Sequence, residues 1–170
     1  HDALPISPYH PKEEYDHYGP ESYTGEISGD SNQVSRFVRN RGEGLSAQDL
    51  ERLRALYLGE VEYMDEHVGR LLEAFDAVQT KGDDMVVVVS DHGENLGEGG
   101  RFFHGADLYE TCMHIPLIIR WPEGEYAGTR VDDLVLAMDI TPTILAACDW
   151  FGPIAIEGKD LKPYLTKKDP

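Results

Sequence analysis

The longest amphipathic pattern in the chain runs from Ser46 to Gly82. Apolar residues recur there at steps of three and four, so they share one helical face, and charged residues fill the other face. Ser46 with Asp49 three positions later resembles a capping box, and Gly82 is a typical C-terminal stop. The pattern predicts a helix of roughly 33 residues, ~50 Å long. Gly59 and Gly69 inside it favour close packing of another backbone.

Two apolar runs beyond this helix predict strands. Residues 85–90 contain four consecutive valines without alternation, which is typical of a strand covered on both faces. Residues 115–120 predict a second strand and residues 131–135 a short third one. Residues 141–147 predict a helix, because a proline lies near its first turn. Helix, buried strand, loop, strand and helix in this order predict an α/β layered domain.

The start of the chain is polar and irregular. Residues 8–44 are rich in Pro, Gly, Ser and Tyr, and they predict a loop or lid with little regular structure. We expect its basic cluster of Arg36, Arg39 and Arg41 to lie on a solvated face. Residues 1–7 back-translate as CAC GAC GCT CTT CCG ATC TCN, which reads like a sequencing adapter. We therefore expect them to be a non-native leader, and the lack of a signal peptide leaves the compartment open.

Composition narrows the class of protein. The chain has 170 residues, a hydrophobic content of 41 % and a formal net charge of −17, which is typical of an acidic globular protein. This charge disfavours nucleic acid and anionic membranes as partners. It does not exclude a small anionic substrate, because a bound metal ion can reverse the local field. The longest apolar run is far shorter than the roughly 20 residues that span a bilayer, so we expect no membrane span.

The candidate chemistry follows the valine run directly, in Ser90–Glu94. Ligands collect at the carboxyl ends of strands in open α/β sheets. A turn at Gly93 would let Asp91 and His92 reach one cation, although a polar turn that merely closes the strand explains the same residues. Two protein ligands do not complete a calcium or zinc site, so the remaining ligands are expected from elsewhere in the protein.

A third candidate is His104, twelve positions beyond His92. The glycines between them form a connection that can fold back on the strand end. A histidine there can donate a hydrogen bond to an anionic oxygen or a proton to a departing alkoxide, although a histidine beside aromatic residues is also often a packed one. No hydroxyl, thiol or carboxylate of the chain lies in a recognisable nucleophile motif.

The order of these motifs resembles the later half of a type I sulfatase catalytic domain, in the alkaline-phosphatase-like superfamily. The resemblance is collinear from about residue 8 to residue 165, and its specificity comes from the joint order of the motifs. The matching stretches are Pro8-Tyr9-His10-Pro11 with Glu14-Tyr15, Tyr57-Leu58-Gly59-Glu60-Val61 with Asp65, Val68-Gly69-Arg70-Leu71-Leu72, Ser90-Asp91-His92-Gly93-Glu94, Gly97-Glu98, Phe103-His104-Gly105, Leu108-Tyr109-Glu110, Ile115-Pro116-Leu117-Ile118, Asp139-Ile140-Thr141-Pro142-Thr143 and Glu157-Gly158-Lys159-Asp160-Leu161.

The resemblance implies a specific activity. Sulfatases hydrolyse sulfate monoesters with a formylglycine nucleophile made from Cys or Ser, and a divalent cation, usually calcium, holds the sulfate oxygens. Asp91 and His92 match the family's second metal-ligand pair. His104 matches the position that contacts the sulfate or the leaving-group oxygen. The implied fold is an incomplete alkaline-phosphatase-like layered sheet flanked by helices, and the implied substrate is a small-molecule or glycan sulfate ester.

The chain also departs from the family's pattern. No Cys or Ser in it is followed by x-P-S/A-R, and the usual Asp-Asp metal pair is absent. Ile6 stands where a substrate-contacting histidine usually precedes the Pro-Tyr. We therefore expect residues 8–170 to be part of a catalytic domain whose nucleophile lies in a part that precedes them, and we expect the chain alone to be inactive.

Two other functions remain open at this point. The first is a related phosphodiester or phosphonate monoester hydrolase, or a phosphoethanolamine-type transferase, which would use Zn²⁺ or Mn²⁺. A histidine ligand is softer than calcium prefers, so such a metal is chemically reasonable. The second is a non-catalytic α/β module that binds a cation or a partner. The oligomeric state stays open.

Overall fold

The computed structural model describes most of the chain as two compact units. The described residues are 8–78, 83–150, 152–153 and 155–166. One unit contains 8–78 and 92–115, and the other contains 83–91 together with the described residues from 116 to 166. The expected leader at residues 1–7 and the expected helix stop at Gly82 lie outside the described residues.

The long amphipathic helix, α2, spans Ala47–Val78 and has 32 residues. The capping box at its start is confirmed. The Ser46 N–H donates to Asp49 Oδ2 at 2.9 Å, and the Asp49 N–H donates to Ser46 Oγ at 3.1 Å. Asp49 thus replaces the usual glutamate of a capping box. The side chains of Ser46 and Asp49 together satisfy two backbone donors at the helix start.

The two glycines inside α2 lie in different surroundings. A Cβ on Gly59 would come within 2.5 Å of the Tyr15 carbonyl oxygen and 2.8 Å of Pro11, so close backbone packing is confirmed there. At Gly69 the same prediction is wrong, because a Cβ there would have no neighbour within 4 Å.

Residues 8–44 contain more regular structure than predicted. A 3₁₀ helix spans Glu13–Tyr15, and an α-helix, α1, spans Ser31–Arg39. The prediction of a loop is therefore wrong for α1. The helix begins here for a local reason, since the side chain of Asp30 caps it by accepting the Asn32 N–H at 2.8 Å.

The core of the first unit lies among α1, α2 and a short hairpin. The three arginines of the basic cluster are exposed, as predicted, but Arg36 and Arg39 lie in the last turn of α1, where the helix dipole favours cations. The hairpin pairs β2, Asn95–Leu96, with β3, Phe102–Phe103, and the short helix α3, Glu110–Met113, follows it. The buried core side chains are Tyr9, Val34, Leu53, Leu56 and Phe102.

The second unit contains the other sheet. Strands β1, Val86–Val89, and β4, Leu117–Arg120, pair antiparallel, with Val86 opposite Arg120. Both strands were predicted, but the prediction that both faces of β1 are covered is wrong. Val89 is 41 % exposed, and among the described residues β1 has β4 as its single partner strand.

Two helices complete the second unit. The predicted helix is confirmed as α4, Ile140–Ala147, and α5 spans Lys162–Leu165. The buried Asp139 carboxylate precedes α4 and accepts the backbone N–H groups of Leu136 and Lys159, each at 2.8 Å. Residues 131–135 form no strand, so that prediction is wrong.

Helices and antiparallel strands in both units agree with the α/β class. None of the helices in the described ranges has both the length and the apolar character that crossing a bilayer requires.

Candidate functional site

The predicted site residues fall in both units. Asp91 is exposed and ends the segment that follows β1 in the second unit. His92 and His104 lie in the first unit, where their rings stack with centroids 3.8 Å apart and planes 23° apart. The structure therefore brings the two histidines together within the first unit.

Gly93 fixes the backbone beside His92. A Cβ at this position would lie 2.0 Å from the Thr111 carbonyl oxygen, so no other residue fits without moving the backbone. The Gly93 N–H donates to the Cys112 carbonyl at 2.9 Å. The sequence predicted that glycine would permit a turn here, and the structure adds a reason, which is the close approach of a second backbone segment.

The hairpin carries His104 to this segment. Gly97, at a φ of 102°, turns the chain between β2 and β3, and its N–H donates to the Arg101 carbonyl at 2.7 Å. The side chain of Asn95, only 2 % exposed, donates to the Phe103 carbonyl at 2.8 Å. Phe103 itself has a φ of 65°, a conformation that costs about 1–3 kcal/mol for such a residue. Strain of this kind directly before His104 is typical of a functional site.

A third residue of this region, Glu94, contacts His104 and was not predicted as a site residue. Its side chain is 3 % exposed, and both carboxylate oxygens lie 3.3 Å from His104 Nδ1. Burial raises the pKa of the Glu94 carboxyl, and the imidazoles of His104 and His92 partly offset that rise. The carboxylate belongs to the motif at residues 90–94. An acidic residue in such a polar turn is usually exposed, so the sequence alone gives no signal that Glu94 is buried.

Tyr9 is another buried side chain of this region that the sequence did not mark as a site residue. Its side chain is 0 % exposed, and its hydroxyl makes no hydrogen bond of standard geometry with the described residues. Burial raises the pKa of Tyr9, and the nearby Glu94 carboxylate raises it further. The buried Glu94 carboxylate thus contacts one imidazole and interacts electrostatically with a buried phenol.

The hydrogen bonding of the His92 ring suits a metal ligand. Its Nδ1 lies 2.8 Å from the Gly93 carbonyl oxygen, so Nδ1 carries the hydrogen and the lone pair is on Nε2. A main-chain carbonyl on one ring nitrogen is the usual way in which a ligating histidine is oriented. No group of three or more His, Cys, Asp or Glu side chains that could hold a metal occurs among the described residues. The residues present therefore fit part of a metal site.

Residues 4–150 match the family model described as Sulfatase. The match covers most of the chain, which therefore belongs to the sulfatase family. Among curated proteins, it is 34 % identical over 128 residues to the N-acetylglucosamine-6-O-sulfatase of Bacteroides thetaiotaomicron. That alignment covers 75 % of this chain and 23 % of the relative. The chain thus spans about a quarter of the length of the curated relatives it matches.

Two solved structures share the fold. One holds its substrate, D-glucosamine-2-N,6-O-disulfate. It is 30 % identical with a TM-score of 0.62, over 81 % of this chain and 28 % of that one. The other is the phosphonate monoester hydrolase of Agrobacterium radiobacter, 27 % identical with a TM-score of 0.64, over 75 % of this chain and 25 % of that one. The predicted α/β, alkaline-phosphatase-like class is confirmed as a partial copy of that fold.

Proposed function

We propose that the protein containing this chain is a sulfuric ester hydrolase that cleaves sulfate monoesters, with His104 as a catalytic residue. The observation that carries the proposal is the stacking of His104 on His92, with Nδ1 of His104 facing a buried carboxylate. This arrangement leaves Nε2 as the nitrogen free for a substrate oxygen. The sulfatase family membership supports the same reaction class.

The role of His104 follows from the charge that develops during ester cleavage. When the S–O bond to the leaving group breaks, its electron pair stays on the leaving oxygen. An Nε2–H on His104 would donate its proton or a hydrogen bond to that oxygen. Such a proton transfer matters most for a sugar or alkyl alcohol, because its alkoxide is a poor leaving group.

The metal ligands of the proposal are Asp91 and His92, with further ligands from outside the described residues. Asp91 offers a carboxylate and His92 offers Nε2, because its Nδ1 is held by the Gly93 carbonyl. A divalent cation there, for which we propose Ca²⁺, would neutralise the sulfate oxygens. Zn²⁺ or Mn²⁺ would replace it in a phosphoesterase, since imidazole suits a softer metal.

The proposed substrate is a small-molecule or glycan sulfate ester. One relative is named for N-acetylglucosamine-6-O-sulfate chemistry, and one structural neighbour was solved with a disulfated glucosamine as its substrate. A sulfated amino sugar is accordingly the first substrate to assay. We propose no nucleic-acid partner, because the chain carries a net charge of −17.

A second candidate function is phosphonate monoester or phosphodiester hydrolysis. It is favoured by the phosphonate monoester hydrolase among the structural neighbours and by a curated relative, 29 % identical, described as a multifunctional alkaline phosphatase superfamily protein. The same histidine could protonate a leaving oxygen in either reaction. The identity of the nucleophile in the complete gene product separates the two candidates.

The experiment is an activity comparison on the complete gene product that contains these residues. We expect turnover of 4-nitrophenyl sulfate to exceed turnover of a phenyl phosphonate 4-nitrophenyl ester and of bis(4-nitrophenyl) phosphate. A preference for the phosphorus esters would support the second candidate instead. Absence of turnover on all three, in a folded protein supplied with Ca²⁺, Mn²⁺ and Zn²⁺ in turn, would contradict both.

A further inference from the structure

We propose that Glu94 is a positioning residue for His104. Its carboxylate accepts the Nδ1–H of His104 and holds the ring so that Nε2 is the nitrogen presented to a substrate oxygen. The substrate half of this statement depends on the proposed function, whereas the hydrogen bond and the choice of nitrogen do not.

The contact itself selects the tautomer. His104 Nδ1 lies 3.3 Å from both Glu94 oxygens, so the nitrogen faces the carboxylate group as a whole. An ionised carboxylate has acceptors and no donor, so the hydrogen must be on Nδ1 of the neutral imidazole. The lone pair of that neutral ring is then on Nε2, which is also the position of the second hydrogen in the imidazolium form.

The ring has little freedom to turn away from this contact. His92 stacks on it at 3.8 Å with an interplanar angle of 23°, which restrains the ring plane. His92 is held in turn by the 2.8 Å contact between its Nδ1 and the Gly93 carbonyl. The stack and the carboxylate therefore restrain the His104 ring in two different directions.

Glu94 is held more firmly than a surface carboxylate. Its side chain is 3 % exposed, so it cannot exchange His104 for water. The residues on either side are fixed, because Gly93 is clamped against Thr111 and Asn95 is 2 % exposed. A preorganised acceptor of this kind orients its partner without losing side-chain entropy during the reaction.

A second His–Glu pair in the same unit shows what burial adds. His114 Nδ1 lies 3.2 Å from Glu110 Oε1, a similar contact to that of the site pair. The side chains are 79 % and 86 % exposed, so solvent competes for both groups and the pair orients nothing. The similar distance with opposite exposure makes Glu110 the matched control for Glu94.

The first test reads the tautomer directly in the 170-residue chain. Long-range ¹H–¹⁵N spectra would be recorded near pH 8, above the usual histidine pKa of about 6.5. We expect the wild-type His104 to be the Nδ1–H tautomer. Glu94→Leu, which removes the acceptor, should shift it towards the Nε2–H form that predominates in an unconstrained histidine side chain. Glu94→Gln should restore most of the Nδ1–H signal through its amide oxygen, and Glu110→Leu should leave His104 unchanged.

An Nε2–H tautomer in the wild-type protein would overturn the proposal without any variant, so the test does not depend on how Glu94→Leu folds. An unchanged His104 signal in folded Glu94→Leu would also overturn it. Backbone amide spectra identify folded variants.

The second test separates positioning from a merely structural role, and uses the complete gene product. We expect Glu94→Leu to lower kcat on a sugar sulfate by at least about tenfold more than on 4-nitrophenyl sulfate, with KM nearly unchanged. The nitrophenolate leaves without a proton, so it needs no oriented Nε2. Equal losses on both substrates would overturn the proposal. Absence of activity in the wild type would contradict the proposed function and leave the tautomer result standing.

Discussion

At the scale of single residues, reactivity depends on which nitrogen of each imidazole carries the hydrogen. His92 gives its Nδ1 to the Gly93 carbonyl, and His104 turns its Nδ1 to the Glu94 carboxylate. In the neutral form of each ring the lone pair is then on Nε2, the atom that would meet an external group. For His92 we propose a metal ion as that group, and for His104 a substrate oxygen.

Replacement of His104 tests its proposed role most directly. We expect His104→Ala in the complete gene product to lower kcat on a sugar sulfate by about 10²–10⁴-fold, the usual contribution of a general acid. Steady-state kinetics on folded protein measures the loss. The matched control is His114→Ala, since His114 also pairs with a glutamate but is 79 % exposed. Equal activity of the two variants would contradict the catalytic assignment.

At the scale of elements, α2 supports the site by packing against the segments that precede it. The Tyr15 carbonyl approaches the backbone of α2 at Gly59. Arg52 on α2 donates to the Asp16 carboxylate through both terminal guanidinium nitrogens, with Nη2 at 2.7 Å from Oδ2. These contacts attach the start of the described chain, including the buried Tyr9, to the helix.

The two glycines of α2 predict opposite effects of the same substitution. Gly69→Ala should stabilise the protein by about 0.5–1 kcal/mol, because alanine favours the helix and a Cβ there has open space. Gly59→Ala should destabilise it by about 1–3 kcal/mol, since its Cβ would overlap the Tyr15 carbonyl and outweigh the propensity gain. Urea unfolding of both variants measures the free energies. Stabilisation by both would show that the Tyr15 segment moves freely.

The Asp16–Arg52 pair predicts a pH dependence of stability. The hydrogen bond and charge of Arg52 lower the pKa of Asp16 below its unfolded value of about 3.9. The folded state therefore binds fewer protons, so the pair's contribution is fully present above that value and is lost as the pH falls through the lower folded pKa. Asp16→Asn should cost about 1 kcal/mol near neutral pH.

The check on this prediction is urea unfolding of wild type and Asp16→Asn from neutral to acidic pH. The difference between the two proteins should shrink as the pH falls below about 4. A difference that stays constant over this range would show that the loss comes from packing and not from charge.

At the scale of the whole molecule, the proposed site is incomplete within this chain. It spans about a quarter of its curated relatives, and its residues include no recognisable nucleophile motif. The two proposed metal ligands fall short of the six to eight oxygen donors that calcium usually takes.

Calcium binding by the 170-residue chain should accordingly be weak. We expect calorimetric titration to give a Kd above about 10⁻³ M, and we expect no turnover of an aryl sulfate by this chain. Asp91→Ala serves as the control. Micromolar binding that Asp91→Ala abolishes would favour the non-catalytic cation-binding module. Turnover of an aryl sulfate would contradict the prediction that this chain contains no nucleophile.

The predicted and observed elements differ most in short segments, where the contacts with the rest of the protein outweigh the local sequence pattern. The spacing of apolar residues predicted α2 almost to its ends, because a long amphipathic period is a strong signal. Helix α1 was missed because it has only nine residues and lies in a polar, proline-rich stretch, where the cap at Asp30 was the main local helix signal. The third strand was wrongly predicted because a short apolar run with two aspartates forms a strand only when a partner is present.

The sequence by itself determined the family and the long helix, because these depend on residue type and order along the chain. Its choice of Asp91, His92 and His104 as site residues stays a prediction. Only the tertiary structure decided that Glu94 is buried against His104 and that the two imidazoles stack. Burial and ring contact arise where the Gly93 segment, the β2–β3 hairpin and Tyr9 meet. Residues far apart in the chain converge there, and no local pattern encodes that convergence.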